Sequence, residues 1–177
     1  MSELRTNRII PRDGMPAGAT GGGIIQVVQA VKQSVQTINF GNEDDVISAT
    51  INLKHASSKV MINWMIHAGR GDDDYGYIKL FEGSSEMTGA HGNTATGNKL
   101  NALSAISNRG GGLDDDKLLT CLSGTYIHSP SSMSPTIKIT AKCTYGTSVF
   151  INMSGGDNNN AYHIRTASFL HLYELSG

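Results

Sequence analysis

The chain has 177 residues, of which 16% are charged, and its formal net charge is -1 at pH 7. That length suits one domain plus a tail, and the near-neutral balance excludes both the basic field of a nucleic-acid binder and an acidic solvating block. The 21 glycines, with many Ser, Thr and Asn, favour a turn-rich β fold over a helical bundle, and no stretch approaches the roughly 20 apolar residues of a membrane helix.

Residues 1–22 read as an extended N-terminal arm. Arg5, Arg8 and Arg12 alternate with small apolar groups, and Pro11, Gly14, Pro16 and Gly18 punctuate them. Such a segment cannot bury enough surface to order itself, so a partner or a sister subunit is expected to hold it. The opening MSELRTNRIIP lacks the apolar core of a secretory signal, which implies synthesis and assembly in a cytoplasm. Cys121 and Cys143 are then expected as reduced thiols. GATGGGIIQVVQ, residues 18–29, raises the question of a phosphate-binding loop. Such a loop needs glycines between a strand and a helix. Here the glycines precede a β-branched run and GxxxxGK[ST] is absent, so the stretch reads as a hinge between arm and body.

The body, residues 23–177, is read as strands in succession. IIQVVQAV is rich in β-branched residues, and VISATINL (46–53) follows. SSKVMINWMIHA sets Val60, Ile62, Trp64 and Ile66 against Met61, Asn63, Met65 and His67, the period of two of a half-buried strand. YGYIKLFEG (75–83) is closed by glycine. Residues 84–117 form a long polar excursion with at most one short helix around Leu100, Leu103 and Ile106. LLTCLSGTYI (118–127) resumes the strands. TIKITAKC (136–143) places Ile137, Ile139, Ala141 and Cys143 on one face, and TSVFINM (147–153) is expected to pair with it across a Tyr145-Gly146 hairpin. SGGDNNNAY is a loop, and TASFLHLYEL is the last strand. Eight or nine strands joined by turns predict an all-β fold, an antiparallel jelly-roll-like β-sandwich behind the arm, with Ile62, Trp64 and Ile137 in its core.

Sites of chemistry are sparse. GRGDDDYG (69–76) contains Arg70, Asp72, Asp73, Asp74 and Tyr75. Three aspartates could attract calcium, but the alternating ligands and closing Glu of an EF-hand are missing, so a solvated loop is the expectation. LDDDK (113–117), with Asp114, reads the same way. The six histidines form neither HExxH nor an i, i+4 pair, and the cysteines are 22 positions apart, so neither metal nor cofactor is expected. No G-x-S-x-G elbow occurs, and Cys143 reads as a small buried hydrophobe. The loops 68–74, 84–117 and 154–162 are the candidate outward surfaces. Besides the residues named, they carry Asn93, Asn98, Asp157, Asn158, Asn159 and Tyr162, groups suited to carbohydrate contact but also common in ordinary loops.

At this point a resemblance enters. MSELRTNRIIPRDG followed by GGGIIQVVQ resembles the N-terminus of small tail-fibre and virion structural proteins of tailed bacteriophages, marine ones especially. HASSKVMINWMI, GYIKLFEGS, YIHSPSSMSPTIKITAK and TSVFINMSGGDNNNAYHIRTASFLHLYEL resemble further segments of that family in the same order. Two departures are His128, where the family has an acidic residue before Ser129-Pro130, and Phe169 with His171 in the closing strand. The resemblance implies a non-enzymatic virion protein, commonly a homotrimer. Its arm would dock on other virion proteins of tail, baseplate or capsid through Leu4, Arg5, Asn7, Arg8, Ile9, Ile10 and Arg12. Its body would project toward host-surface polysaccharide. Open alternatives are a capsid-decorating knob, a free lectin, and a polysaccharide depolymerase using Asp72–Asp74 and Asp114–Asp116. No nucleic acid or membrane insertion is expected.

Overall fold

Alternation of apolar and polar residues sets the strands here, because each strand has one face to bury. The computed structural model describes residues 23–71, 74–92, 99–107, 117–156, 159, 161 and 163–176. Among them run β1 (Ile24–Lys32), β2 (Gln36–Asn39), β3 (Glu43–Thr50), β4 (Lys59–Arg70), β5 (Tyr75–Glu82), β6 (Ser85–Glu86), β7 (Ser104–Ile106), β8 (Leu119–His128), β9 (Thr136–Tyr145), β10 (Ser148–Ile151) and β11 (Ser168–Leu175). A short 3-10 turn spans Thr88–Ala90.

The strands form two antiparallel sheets. In the first, the long β4 is central. β8 pairs along one side of it, and β11 and β10 lie end to end along the other. β1 pairs outside β11, and β2 outside β10. In the second sheet the order is β3-β9-β5, with β6 and β7 on the far side of β5. The two principal runs, β1-β11-β4-β8 and β3-β9-β5-β7, give the interleaved order of a jelly roll, in which most connections cross between sheets. The protein is therefore an all-β antiparallel sandwich, as its composition implies.

The core lies between the sheets. Val60, Ile62, Trp64 and Ile66 of β4 meet Ile137, Ile139, Ala141 and Cys143 of β9, all buried. Both predicted alternations hold, and Ile62, Trp64 and Ile137 are core residues. Trp64 fits because its β8 partner is Gly124; a Cβ at that position would come within 2.5 Å of the indole.

Two expectations are corrected. Residues 84–117, expected as a polar excursion with at most one short helix, are not all loop. Ser104–Ile106 is instead a strand that gives β5 an outer partner and buries Ile106. Nor do residues 136–143 and 147–153 form a hairpin. The chain crosses at Tyr145-Gly146 from β9 in the second sheet to β10 in the first. Period two identifies a strand, not the sheet that receives it, and here a side chain distant in sequence decides. The Asp74 carboxylate accepts hydrogen bonds from the backbone N–H groups of Thr147 and Ser148. Gly146 adopts φ +82° against that carboxylate, where any Cβ would collide with it.

Candidate interaction surfaces

β4 fixes the polarity of the body. Its twelve residues at about 3.3 Å each separate its ends by roughly 36 Å. At the first end, Lys59 pairs with Leu175, which pairs with Ile24 at the start of β1. Gly23 is tied there by the Ser176 N–H, which donates to the Gly23 carbonyl at 3.0 Å. At the far end, Gly69 pairs with Leu119 of β8 and Phe150 of β10. Gly155 lies against the Arg70 carbonyl and the Gly71 N–H. Gly71, Leu119 and Gly155, which follow β4, open β8 and follow β10, thus meet at one end, while residue 23 lies at the other.

The predicted site residues divide across this frame. Arg70 and Asp74 were expected in an open loop and are instead 4% exposed each. The Arg70 guanidinium lies 5.6 Å from the Tyr75 ring centroid and donates from Nη1 to the Gly71 carbonyl at 3.1 Å. Asp74 accepts from the Gly71 N–H at 3.2 Å as well as from the crossing at Thr147 and Ser148. Tyr75 is half-buried, edge-on to Tyr145 at 5.8 Å. Asn159 is exposed. Asp72, Asp73, Asn93, Asn98, Asp114, Asp157, Asn158 and Tyr162 lie outside the described residues, as do the arm residues Leu4, Arg5, Asn7, Arg8, Ile9, Ile10 and Arg12.

The base of the β10–β11 excursion is pinned: Met153 bridges Arg165, and the Thr166 N–H donates to the Asn152 carbonyl. Asn152, at φ 63°, donates from Nδ2 to the Lys32 and Ser34 carbonyls and accepts from the Ser168 hydroxyl at 2.6 Å. Residues 84–92 and 99–103 flank β5 toward the end that carries residue 23. His91 is held there between the Glu86 carboxylate at 2.9 Å and the Leu80 N–H at 3.0 Å.

Three polar clusters were not legible in the sequence. Glu82 accepts from the Ser131 hydroxyl at 2.8 Å and contacts His128 at 2.8 Å. This explains the histidine at 128: an acidic residue there would face the Glu82 carboxylate. Glu174, fully buried, accepts from the Ser58 hydroxyl, the Gln26 amide and the Lys54 and His55 N–H groups. The Ser154 hydroxyl donates to the Gly156 carbonyl and lies 3.1 Å from His163 Nδ1. In the first cluster the carboxylate stands between hydroxyl and imidazole, and in the third the hydroxyl is 1% exposed. These are bracing networks; nucleophile activation needs the histidine between hydroxyl and carboxylate and open to substrate. Among the described residues no three His, Cys, Asp or Glu converge on a metal position. Burial, reinforced by the Asp74 charge, pushes the Cys143 thiol up, against the opposing effect of a backbone hydrogen bond with Tyr145.

The outer faces of the two sheets differ. On the second, Lys138 pairs with Asp45 at 2.8 Å, Lys79 with Glu86 at 2.7 Å, and Thr140 with Glu43. On the first, register aligns Val27, Tyr173, Met61 and Ile127 in one row and Val31, Phe169, Met65 and Ser123 in another. Between them runs the polar but uncharged row Gln29, His171, Asn63 and Thr125. Phe169, His171 and Tyr173 follow one another along β11 with ring centroids 6.4 and 6.2 Å apart.

No family model matches the chain, and no curated protein matches it. Among solved structures it is similar to the infectious bursal disease virus VP2 subviral particle, at 10% identity and a TM-score of 0.35. The match covers 85% of this chain and 39% of that one. The fold assignment rests on strand order, and that distant likeness adds nothing to it.

Proposed function

We propose that this protein is a non-enzymatic structural component of a bacteriophage virion, a tail-fibre-type appendage. It docks on other virion proteins through residues 1–22, associates as a homotrimer and projects its β-sandwich for contact with host-surface polysaccharide. The carrying observation is the bipolar body: Gly23, where the arm joins, lies at one end of β4, and Gly71, Leu119 and Gly155, which flank three polar segments, lie at the other. A chain held at the first end presents the other outward. The sequence resemblance to phage virion proteins supports the same reading. In the arm, Leu4, Ile9 and Ile10 bury against the docking partner, while Arg5, Arg8 and Arg12 form charge-assisted bonds to carboxylates or carbonyls.

The second reading is a capsid-decorating knob. It is favoured by the absence of any shaft among the described residues, all of whose strands belong to the two sheets. Both readings place the protein on the particle, after assembly in the host cytoplasm, and both use the arm. The test is incorporation of an Arg5→Glu, Arg8→Glu, Arg12→Glu variant into particles. Loss of incorporation with an unchanged folded body is expected. Undiminished incorporation would remove the arm from its docking role. Cleavage of host polysaccharide by the purified protein would overturn the non-enzymatic reading.

A further inference from the structure

We infer that the outer face of the first sheet, from β1 across β11 and β4 to β8, is where one copy of this chain packs against another. The inference rests on the self-association proposed above and assigns it a surface.

Three observations carry it. The first is the contrast between the two outer faces. The second sheet carries lysine–carboxylate pairs on its outside, as solvated sheets do. The three cross-strand rows of the first sheet contain no Asp, Glu, Lys or Arg. Val27, Val31 and Ile127 are 52%, 47% and 53% exposed on it, beside the rings of Phe169 and Tyr173. Depletion of charge with enrichment in methionine and aromatics is the composition of an interface centre.

The second is the edge. β8 pairs with β4 in unbroken register from Leu119 to His128, and the described residues give it no second partner strand. It has no proline, no bulge and no Asp, Glu, Lys or Arg. Long unblunted edges of this kind invite another chain unless they are covered. β1, at the other edge, is blunted by a register shift between Ile24 and Gln26 and by Lys32.

The third is size and sign. Four strands about 4.8 Å apart, followed for six residue steps of about 3.3 Å, project roughly 400 Å². That is the size of the largest patch on a typical monomer, about 300–600 Å², which is often functional. A stable interface of about 800 Å² per copy then takes the face with its rim and the β8 edge. The three central rows of the face carry no charge, so packing against a neighbouring copy buries none there; Lys59, on the same side of β4, lies at the end that carries residue 23.

The test is the solution mass of the full-length protein, by light scattering after gel filtration, with Met65→Lys, Ile127→Lys and, on the opposite sheet, Ser48→Lys. Cys121, aligned with His67 on the same face, supplies a probe that needs no substitution; Cys143 is fully buried and silent. Expected results are an assembled wild type, an assembled Ser48→Lys, folded monomers for the two face variants, and Cys121 thiol labelling about tenfold slower in the assembled protein than after dilution to monomer. If the face variants fail to fold, the Cys121 rate in the wild type decides. Assembly that survives the substitutions, or a Cys121 rate that ignores assembly, would overturn the assignment while leaving self-association intact. A monomeric wild type would overturn both, and a monomer with protected Cys121 would show the chain's own arm on the face.

Discussion

A fully buried carboxylate must be matched donor for donor, and Glu174 is matched by Ser58, Gln26 and the Lys54 and His55 N–H groups. Burial alone would raise its pKa; the four hydrogen bonds outweigh burial and leave it below the ordinary value. Glu82 and Glu86 are lowered in the same way, burial being outweighed by His128 and Ser131 in one and by Lys79 and His91 in the other. A carboxylate whose folded pKa lies below its unfolded pKa stabilises the fold above the unfolded value, and that contribution is lost as pH falls through the folded one. Urea unfolding should therefore show stability dropping below about pH 4. Glu174→Gln, which turns an acceptor toward donors, should cost about 1–3 kcal/mol near neutral pH, with a smaller gap to wild type in acid. An undiminished gap at about pH 3 would contradict the ionised assignment. Gly124 offers a second test. Gly124→Ala pushes a methyl into the only tryptophan and should cost about 1–3 kcal/mol, read as a lower Tm with a shifted Trp64 emission.

At the scale of elements, β4 and β9 were legible because apolar–polar alternation over eight residues, 60–67 and 136–143, fits a half-buried strand. The short β7 was not, since three apolar residues spaced three apart fit a helical turn equally well. The β9–β10 crossing was not, because Asp74 holds it from more than seventy positions away. The same carboxylate explains why a run of three aspartates does not read uniformly as solvent: its last member is an acceptor for backbone groups. Asp74→Ala should cost about 3 kcal/mol by leaving N–H groups of Gly71, Thr147 and Ser148 unmatched. Gly146→Ala should cost at least about 1 kcal/mol from its positive φ alone. Hydrogen exchange provides the local readout. The Phe40 and Gly41 N–H groups, bonded to the Thr147 and Cys143 carbonyls, should lose protection in both variants before the β4 amides do.

For the whole molecule, the sequence pointed to a strand-rich body behind an arm expected to need a partner. It could not show that residue 23 and the polar loops lie at opposite ends, because strand order and direction are tertiary facts. The uncharged outward positions of β11, and of β4 from Met61 on, were visible one strand at a time. That they join with β1 and β8 into one surface depends on register, which a single strand does not encode. Phe169 and His171, where the chain departs from the phage-protein pattern, lie on that surface.

The most direct test of the account is a cryo-EM map of the intact particle searched for this chain. The account predicts β-sandwich density with residues 1–22 buried in a neighbouring virion protein and the far end of β4 turned to solvent. Absence of the chain from the particle, or density with those polar loops pressed into the particle and the arm end facing out, would contradict it.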